Sequence, residues 1–259
     1  MPTFSRTLLL AGLLATAATA TASPVANPFE LPKCQIPPGI IITQCRKPGV
    51  MALGYDDGPY TMTLELVDML DAAGAKATFF WTGTLYGCIY DHVDAIKKAY
   101  ASGHQVASHT WTHPITLDQM SKAELTEEME KLENAFANIL GIRTNYMRPP
   151  YLMTGGEVMP TMGELGYKVI TLDLDSGDWD GVTTAAESAR RFEEAGTSGR
   201  GHIPLVHETY ESTVRELTPW IIEWAAQNNL ELVTIADCLD DPSGPYVTVN
   251  ATGDGQMTC

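Results

Sequence analysis

Three short stretches of this chain combine residue types that can do proton and metal chemistry. Tyr55-Asp56-Asp57-Gly58-Pro59 sets two carboxylates side by side after an apolar run. On an extended backbone successive side chains point to opposite sides, so the two would diverge unless a turn re-aimed one of them; Gly58-Pro59 supplies the turn residues. One Asp could then hold a metal while the other handles protons. An exposed Asp-Asp-Gly-Pro turn with no chemistry would use the same residues. His109-Thr110-Trp111-Thr112-His113 places two imidazoles four residues apart, a spacing that one helical turn brings to one side and that suits a single divalent ion. Pro114 argues against a long helix there, so a loop or single turn is expected. His109, His113 and one Asp would form a set of two imidazoles and one carboxylate, leaving positions for water and substrate. His207 ends the run Leu205-Val206-His207. A single His at a strand end is more often structural than catalytic, but a general acid opposite the nucleophile would give it work.

These residues need elements to hold them. Each stretch falls where a candidate strand ends, and the C-terminal ends of parallel strands are where α/β folds build their sites. The apolar runs predict strands at Val50–Tyr55, Ala77–Trp81, Gln105–Ser108, Asn145–Arg148, Lys168–Asp173, Ile203–His207 and Glu231–Ile235. The clearest helix spans about Lys122 to Leu140. Ser121 and Glu124 form a capping box, Leu125, Met129, Leu132, Phe136 and Ile139 share one face, and Gly141 follows as a stop. A second helix is expected from near Thr61 to Gly74. A third, from Ser212 to Asn228, tolerates Pro219 only with a kink or a fresh start. Strand and helix in repeated alternation predict parallel strands with helical crossovers. The expected fold is a single-domain α/β distorted (β/α) barrel of about seven parallel strands, with an open doubly wound sheet as the alternative.

In order along the chain, five segments resemble the motifs of the polysaccharide deacetylase family, also called carbohydrate esterase family 4 or the NodB-homology domain. They are Tyr55-Asp56-Asp57-Gly58-Pro59, His109 to His113, Arg148-Pro149-Pro150-Tyr151, Asp175-Ser176-Gly177-Asp178-Trp179 and Leu205-Val206-His207. Gly54 and Tyr55 stand where the family usually has Thr and Phe; Tyr keeps the ring, but its hydroxyl needs a partner if buried. The segment from Gly103 to His113 is most like the fungal chitin deacetylase branch. The resemblance implies that Asp57, His109 and His113 hold a divalent metal, zinc first and cobalt as the second choice. It implies Asp56 as general base, held ionised by Arg148, and His207 as general acid, kept cationic and aimed by Asp178. The backbone N–H of Tyr151 would help bind the oxyanion, and Trp179 and Leu205 would wall the acetyl pocket. The implied reaction is hydrolysis of N-acetyl groups in chitin or chito-oligosaccharides. An O-acetyl esterase acting on xylan and a catalytically inactive chitin-binding protein are the alternatives, and peptidoglycan fits the fungal features less well.

Bulk properties bound the rest. The 259 residues carry 32 acidic against 16 basic side chains, a formal charge of −16, which argues against nucleic acid as a partner. No membrane association and a monomer are expected. Arg6, the apolar run Leu8 to Ala18 and the small residues Thr19 to Ser23 read as a secretory signal, cleaved near Ala22 or Ser23. The expected organisation is a signal peptide at 1–22, an extended Pro- and Gly-rich lead-in at 23–48 packing on the domain, a catalytic domain at 49–240 and a tail at 241–259, with an Asn250 sequon. All five cysteines follow the signal, so an extracellular protein with disulfides is expected, one thiol being left over. Cys45 with Cys238 is the first pairing expected and Cys34 with Cys259 the second. His92, His104 and His202 read as solvated, structural and loop residues. Trp81 reads as core, Trp111 as either core or sugar-facing, and Asp175 as a brace for its loop.

Overall fold

The computed structural model describes Met1 and residues 35–248 and 254–259. Its centre is a sheet of eight strands: β1 (Ile41–Ile42), β2 (Gly54–Asp56), β3 (Thr78–Trp81), β4 (Gln105–Ser108), β5 (Tyr146–Met147), β6 (Lys168–Ile170), β7 (Leu174–Asp175) and β8 (Pro204–His207). The order across the sheet is β1-β6-β5-β4-β3-β2-β8-β7, and every pair is parallel. Edge strands β1 and β7 do not pair with each other, so the sheet is a curled half-barrel, the distorted barrel expected, with eight strands instead of about seven. The two extra strands, β1 and β7, are only two residues long. The apolar run at Val50–Tyr55 divides: Val50–Met51 pairs in parallel with Glu231–Leu232 in a separate two-stranded ribbon, and only Gly54–Asp56 enters the main sheet.

The strands are buried on both sides, as parallel sheets require. Along β3, Phe79 and Trp81 enter one core cluster and Phe80 another, the period of two expected of a pleated strand. On the first side, Tyr55, Phe79 and Val106 meet the apolar faces of α1 (Thr63–Ala72), α2 (Val93–Ala101) and α3 (Lys122–Leu140) through Leu66, Leu70, Ile96, Leu132 and Phe136. On the second side, Phe80, Ala107, Tyr146 and Ile170 are covered by Ile36, Ile42 and Cys45 and by Ile235 and Cys238. The second face therefore takes the lead-in and a short C-terminal helix instead of another helical layer, which separates this fold from a doubly wound sheet.

Helix α3 carries the expected capping box, both hydrogen bonds being made between Ser121 and Glu124, and ends at left-handed Gly141. The helix expected at Thr61 begins at Thr63, and the one expected at Ser212 is two pieces: a π-helical turn at Thr213–Leu217, then an α-helix from Thr218 that takes Pro219 in its first turn. Cys45 is joined to Cys238 as expected. The second pairing is corrected: Cys259 is bonded to Cys88, and Cys34 lies outside the described residues, as do the signal segment and Asn250. In the final segment Tyr246–Thr248 pairs antiparallel with Ile142–Thr144. Among the described residues no helix is long and apolar enough to cross a membrane.

Candidate active site

The ten residues singled out by sequence converge at the C-terminal ends of β2, β4, β5 and β8, with the loop after β7 closing the group. Register explains the central pair: His207 of β8 stands opposite Asp56 of β2. Eight of the ten, Asp56, Asp57, His109, His113, Tyr151, Trp179, Leu205 and His207, line one cavity of about 400 Å³. Arg148 and Asp178 lie behind it, buried.

Asp56 and Asp57 separate as the turn argument demands, but the turn begins at Asp57 itself, whose φ is +74°. A left-handed Asp is tolerated at modest cost. It swings the second carboxylate toward the histidines while Asp56 stays on its strand. Gly58 has to be glycine for another reason: a Cβ there would lie 1.4 Å from Glu208 Oε1. Arg148 Nη1 donates to Asp56 Oδ1 at 2.7 Å and the same guanidinium donates to the carbonyls of Gly54 and Thr171. With both partners of this ion pair buried, its hydrogen bonds are what make the charges tolerable. Arg148 also lies over the Phe80 ring, 4.3 Å from its centroid.

His109 Nδ1 lies 2.6 Å from the carbonyl of Arg148. A carbonyl can only accept, so Nδ1 carries the proton and Nε2 keeps its lone pair facing inward. Nε2 of His109 and Nε2 of His113 lie 3.5 and 3.4 Å from Asp57 Oδ1. One ligand atom from each of the three residues falls within 4.8 Å of the others. Asp57 Oδ1 is buried with no hydrogen-bond partner among the described residues. A buried carboxylate oxygen aimed at two imidazole nitrogens is a donor set that fits a divalent cation. Burial pushes the Asp57 carboxyl up, but contact with His109 and the charges of His109, His207 and His113 hold it below the usual carboxylate range. Burial, and then His109, push His113 down to about 4, so its ring is neutral and able to bind metal at neutral pH.

Across the cleft, His207 Nδ1 is 2.8 Å from Asp178 Oδ1, and Asp178 Oδ2 accepts from the His207 N–H and from Thr213 Oγ1. Burial alone would lower the imidazole, but the bond to Asp178 and the charges of Asp178, Asp56 and Asp57 outweigh it and hold His207 up at about 9. Asp175 Oδ1 accepts from Gly177 N and Trp179 Nε1, so it braces the loop and sets the half-exposed Trp179 ring at the rim. Tyr151 and Leu152 are both left-handed, which turns that segment over His113, whose ring meets Tyr151 edge-on. The hydroxyl of buried Tyr55 pairs with Thr218 Oγ1 at 2.9 Å, supplying the partner a buried Tyr requires.

Some site residues lay outside the motifs. Leu85, Tyr86, Leu152 and Tyr210 also line the cavity. Glu208 is fully buried behind it and accepts from Trp81 Nε1 and Thr63 Oγ1. Burial raises its carboxyl to about 8, with Asp57 and Asp56 adding to the effect against those two hydrogen bonds. In the sequence Glu208 follows His207 at a strand end, where a glutamate reads as solvated. Of the other residues weighed, Trp81 is core, Trp111 is partly buried against the core, and His104 is buried with Nδ1 accepting from Ala77 N.

Parallel strands curled into a half-barrel, with two carboxylates and three imidazoles at their C-terminal ends, define a hydrolase site of the polysaccharide deacetylase type. The family model for polysaccharide deacetylase matches residues 43–170, and the chain belongs to this family. It is 38% identical over 238 residues to a chitin deacetylase of Pestalotiopsis sp, covering 92% of this chain and 78% of that one. It is 36% identical over 236 residues to the chitin deacetylase of Colletotrichum lindemuthianum, covering 88% of this chain and 95% of the relative. The solved structure of the Colletotrichum lindemuthianum enzyme superposes with a TM-score of 0.79 at 35% identity, over 83% of this chain and 99% of that one.

Proposed function

We propose that this protein is a secreted, metal-dependent deacetylase that hydrolyses the N-acetyl groups of N-acetylglucosamine in chitin or its oligomers and releases acetate. The observation that carries the reading is that the Asp56–Arg148 pair, the His207–Asp178 pair and the group Asp57, His109 and His113 meet at one cavity. Similarity to two fungal chitin deacetylases supports the substrate, and the two disulfides are compatible with export.

The geometry supports the following roles. Asp56, ionised beside Arg148, takes a proton from the attacking water. His207, cationic because of Asp178, delivers a proton to the leaving amine, so the acid and the base carry opposite charges in the resting site. The backbone N–H of Tyr151 is the oxyanion donor, and Trp179 and Leu205 enclose the acetyl methyl and exclude water. A divalent cation held by Asp57, His109 and His113, zinc being the best match to the donor set, would supply Lewis-acid polarisation of the acetyl carbonyl.

The test is acetate release from N-acetylglucosamine oligomers, with zinc and then with chelator. Acetate is expected with zinc and not with chelator. Asp56→Asn and His207→Ala are each expected to lower kcat by about 100-fold or more, the usual worth of a positioned base or acid. Acetate from acetylated xylan but not from the oligomers would reassign the substrate. Zinc binding without acetate from either would make the chain a binding protein.

A further inference from the structure

The two histidines of the proposed metal triad are not held in the same way. His109 is fixed through its ring, by the bond from Nδ1 to the Arg148 carbonyl. The Nδ1 of His113 is buried and has no hydrogen-bond partner among the described residues. Its aim therefore depends on the main chain that carries it. That chain is under conformational tension, since Thr110 and His113 both have positive φ, +67° and +55°. Such residues persist where surrounding contacts over-determine them.

Two ties from other elements grip the loop. On the side of His109, Gly83 N and Thr84 N donate to the Trp111 carbonyl. On the side of His113, both donors of Thr112 go to one residue: its N–H to Glu128 Oε2 at 2.8 Å and its hydroxyl to Glu128 Oε1 at 2.9 Å. Glu128 sits on the second turn of α3, 8% exposed, flanked by the core residues Leu125, Met129 and Leu132. A carboxylate in that position is anchored by the longest helix among the described residues. It clamps the residue next to His113 with both oxygens.

We infer that Glu128 is a positioning residue for the metal site, holding His113 in ligand geometry through the backbone of Thr112 in place of the ring hydrogen bond that His113 lacks. The inference rests on Asp57, His109 and His113 being the cation site. A partner behind a ligating histidine is typically worth 10- to 100-fold in metal affinity, and here that work is routed through the main chain.

The experiment measures zinc affinity of the full chain by competition with a chromophoric chelator, with no substrate present. Glu128→Ala is expected to weaken zinc binding about tenfold or more. Glu128→Gln keeps an acceptor for the Thr112 N–H, and its amide can donate to the hydroxyl, so it should stay within about threefold of wild type. Thr112→Val, at an exposed position where folding is not at risk, removes one of the two bonds and should cost roughly fivefold. That variant carries the test if the alanine variant does not fold. Unchanged zinc affinity in Glu128→Ala with a lowered metal-free melting temperature, or unchanged affinity in Thr112→Val, would overturn the inference and leave Glu128 a stabilising residue. A wild-type chain that binds no zinc would overturn the metal reading itself, and this inference with it.

Discussion

At the level of single residues the cleft works by setting like groups apart. Two carboxylates in sequence, Asp56 and Asp57, face different partners because one stays on β2 and the other is left-handed. Two imidazoles, His113 and His207, are driven to opposite charge states: burial and His109 push one down to about 4, while Asp178 lifts the other to about 9 against its own burial. The cause named for His207 can be tested directly. In chelator-treated protein its ring resonances should titrate near pH 9. In Asp178→Asn they should fall toward the ordinary histidine range, because only the charges of Asp56 and Asp57 would then oppose burial. An unchanged midpoint in that variant would place the source of the shift elsewhere. Asp56, Asp57, His109, His113 and His207 were legible in the sequence because each is a titratable side chain at or just past the end of an apolar run, whereas Arg148, Asp178, Tyr151, Trp179 and Leu205 were named only through the resemblance to the family motifs. Glu128 and Glu208 were legible in neither way. A glutamate in a helical heptad or after a strand reads as solvated, and only the packing of α3 and α1 against the loops reveals that these two are buried.

At the level of elements, what carried a local signal was readable and what depended on distant pairing was not. Helix α3 was legible end to end, since its capping box, apolar stripe and terminal glycine all lie within its own residues. The capping box is worth testing, since α3 also carries Glu128. Ser121→Ala should cost about 1 kcal/mol, a loss of roughly 2–4 °C in melting temperature for a domain of this size, measured by circular dichroism. Zinc affinity should not change, because Glu128 lies two turns further along and fraying stops short of it. A change in zinc affinity as large as that of Glu128→Ala would mean the helix moves as a whole. Strands β1 and β7 escaped sequence reading because two residues cannot display a period. The run from Val50 to Tyr55 looked like one strand because its members are all buried, although it serves two sheets. The pairing of Cys259 with Cys88 depends on where the final segment returns, and nothing near either cysteine records that.

At the level of the whole molecule, the buried titratable groups give the fold a pH dependence whose sign can be worked out. Glu133, buried and bonded to Tyr167 and Thr144, is raised by burial to about 7 and Glu208 to about 8, while His207 is held at about 9 against its burial by Asp178 and the charges of Asp56 and Asp57. Each binds its proton more tightly when folded than when unfolded, so each contributes stability that is lost as pH rises through its folded value. His104 and His113, both lowered by burial to about 4, act in the opposite sense, and what they contribute is lost as pH falls from about 6.5 toward 4. Between about pH 4.5 and 6.5 the two sets oppose each other. Above pH 6.5 the lowered histidines no longer titrate, and Glu133, Glu208 and His207 act alone and together. The formal charge of −16 reinforces them, since each proton lost adds to the self-repulsion of an already acidic chain. The melting temperature of the chelator-treated protein should therefore fall steadily between pH 6.5 and 9. Glu208→Gln cannot ionise, so its curve should be flatter than wild type up to about pH 8 and parallel to it above. A wild-type curve that is flat or rising across that interval, or a Glu208→Gln curve as steep as wild type throughout, would mean that these buried protons do not govern the stability of the fold.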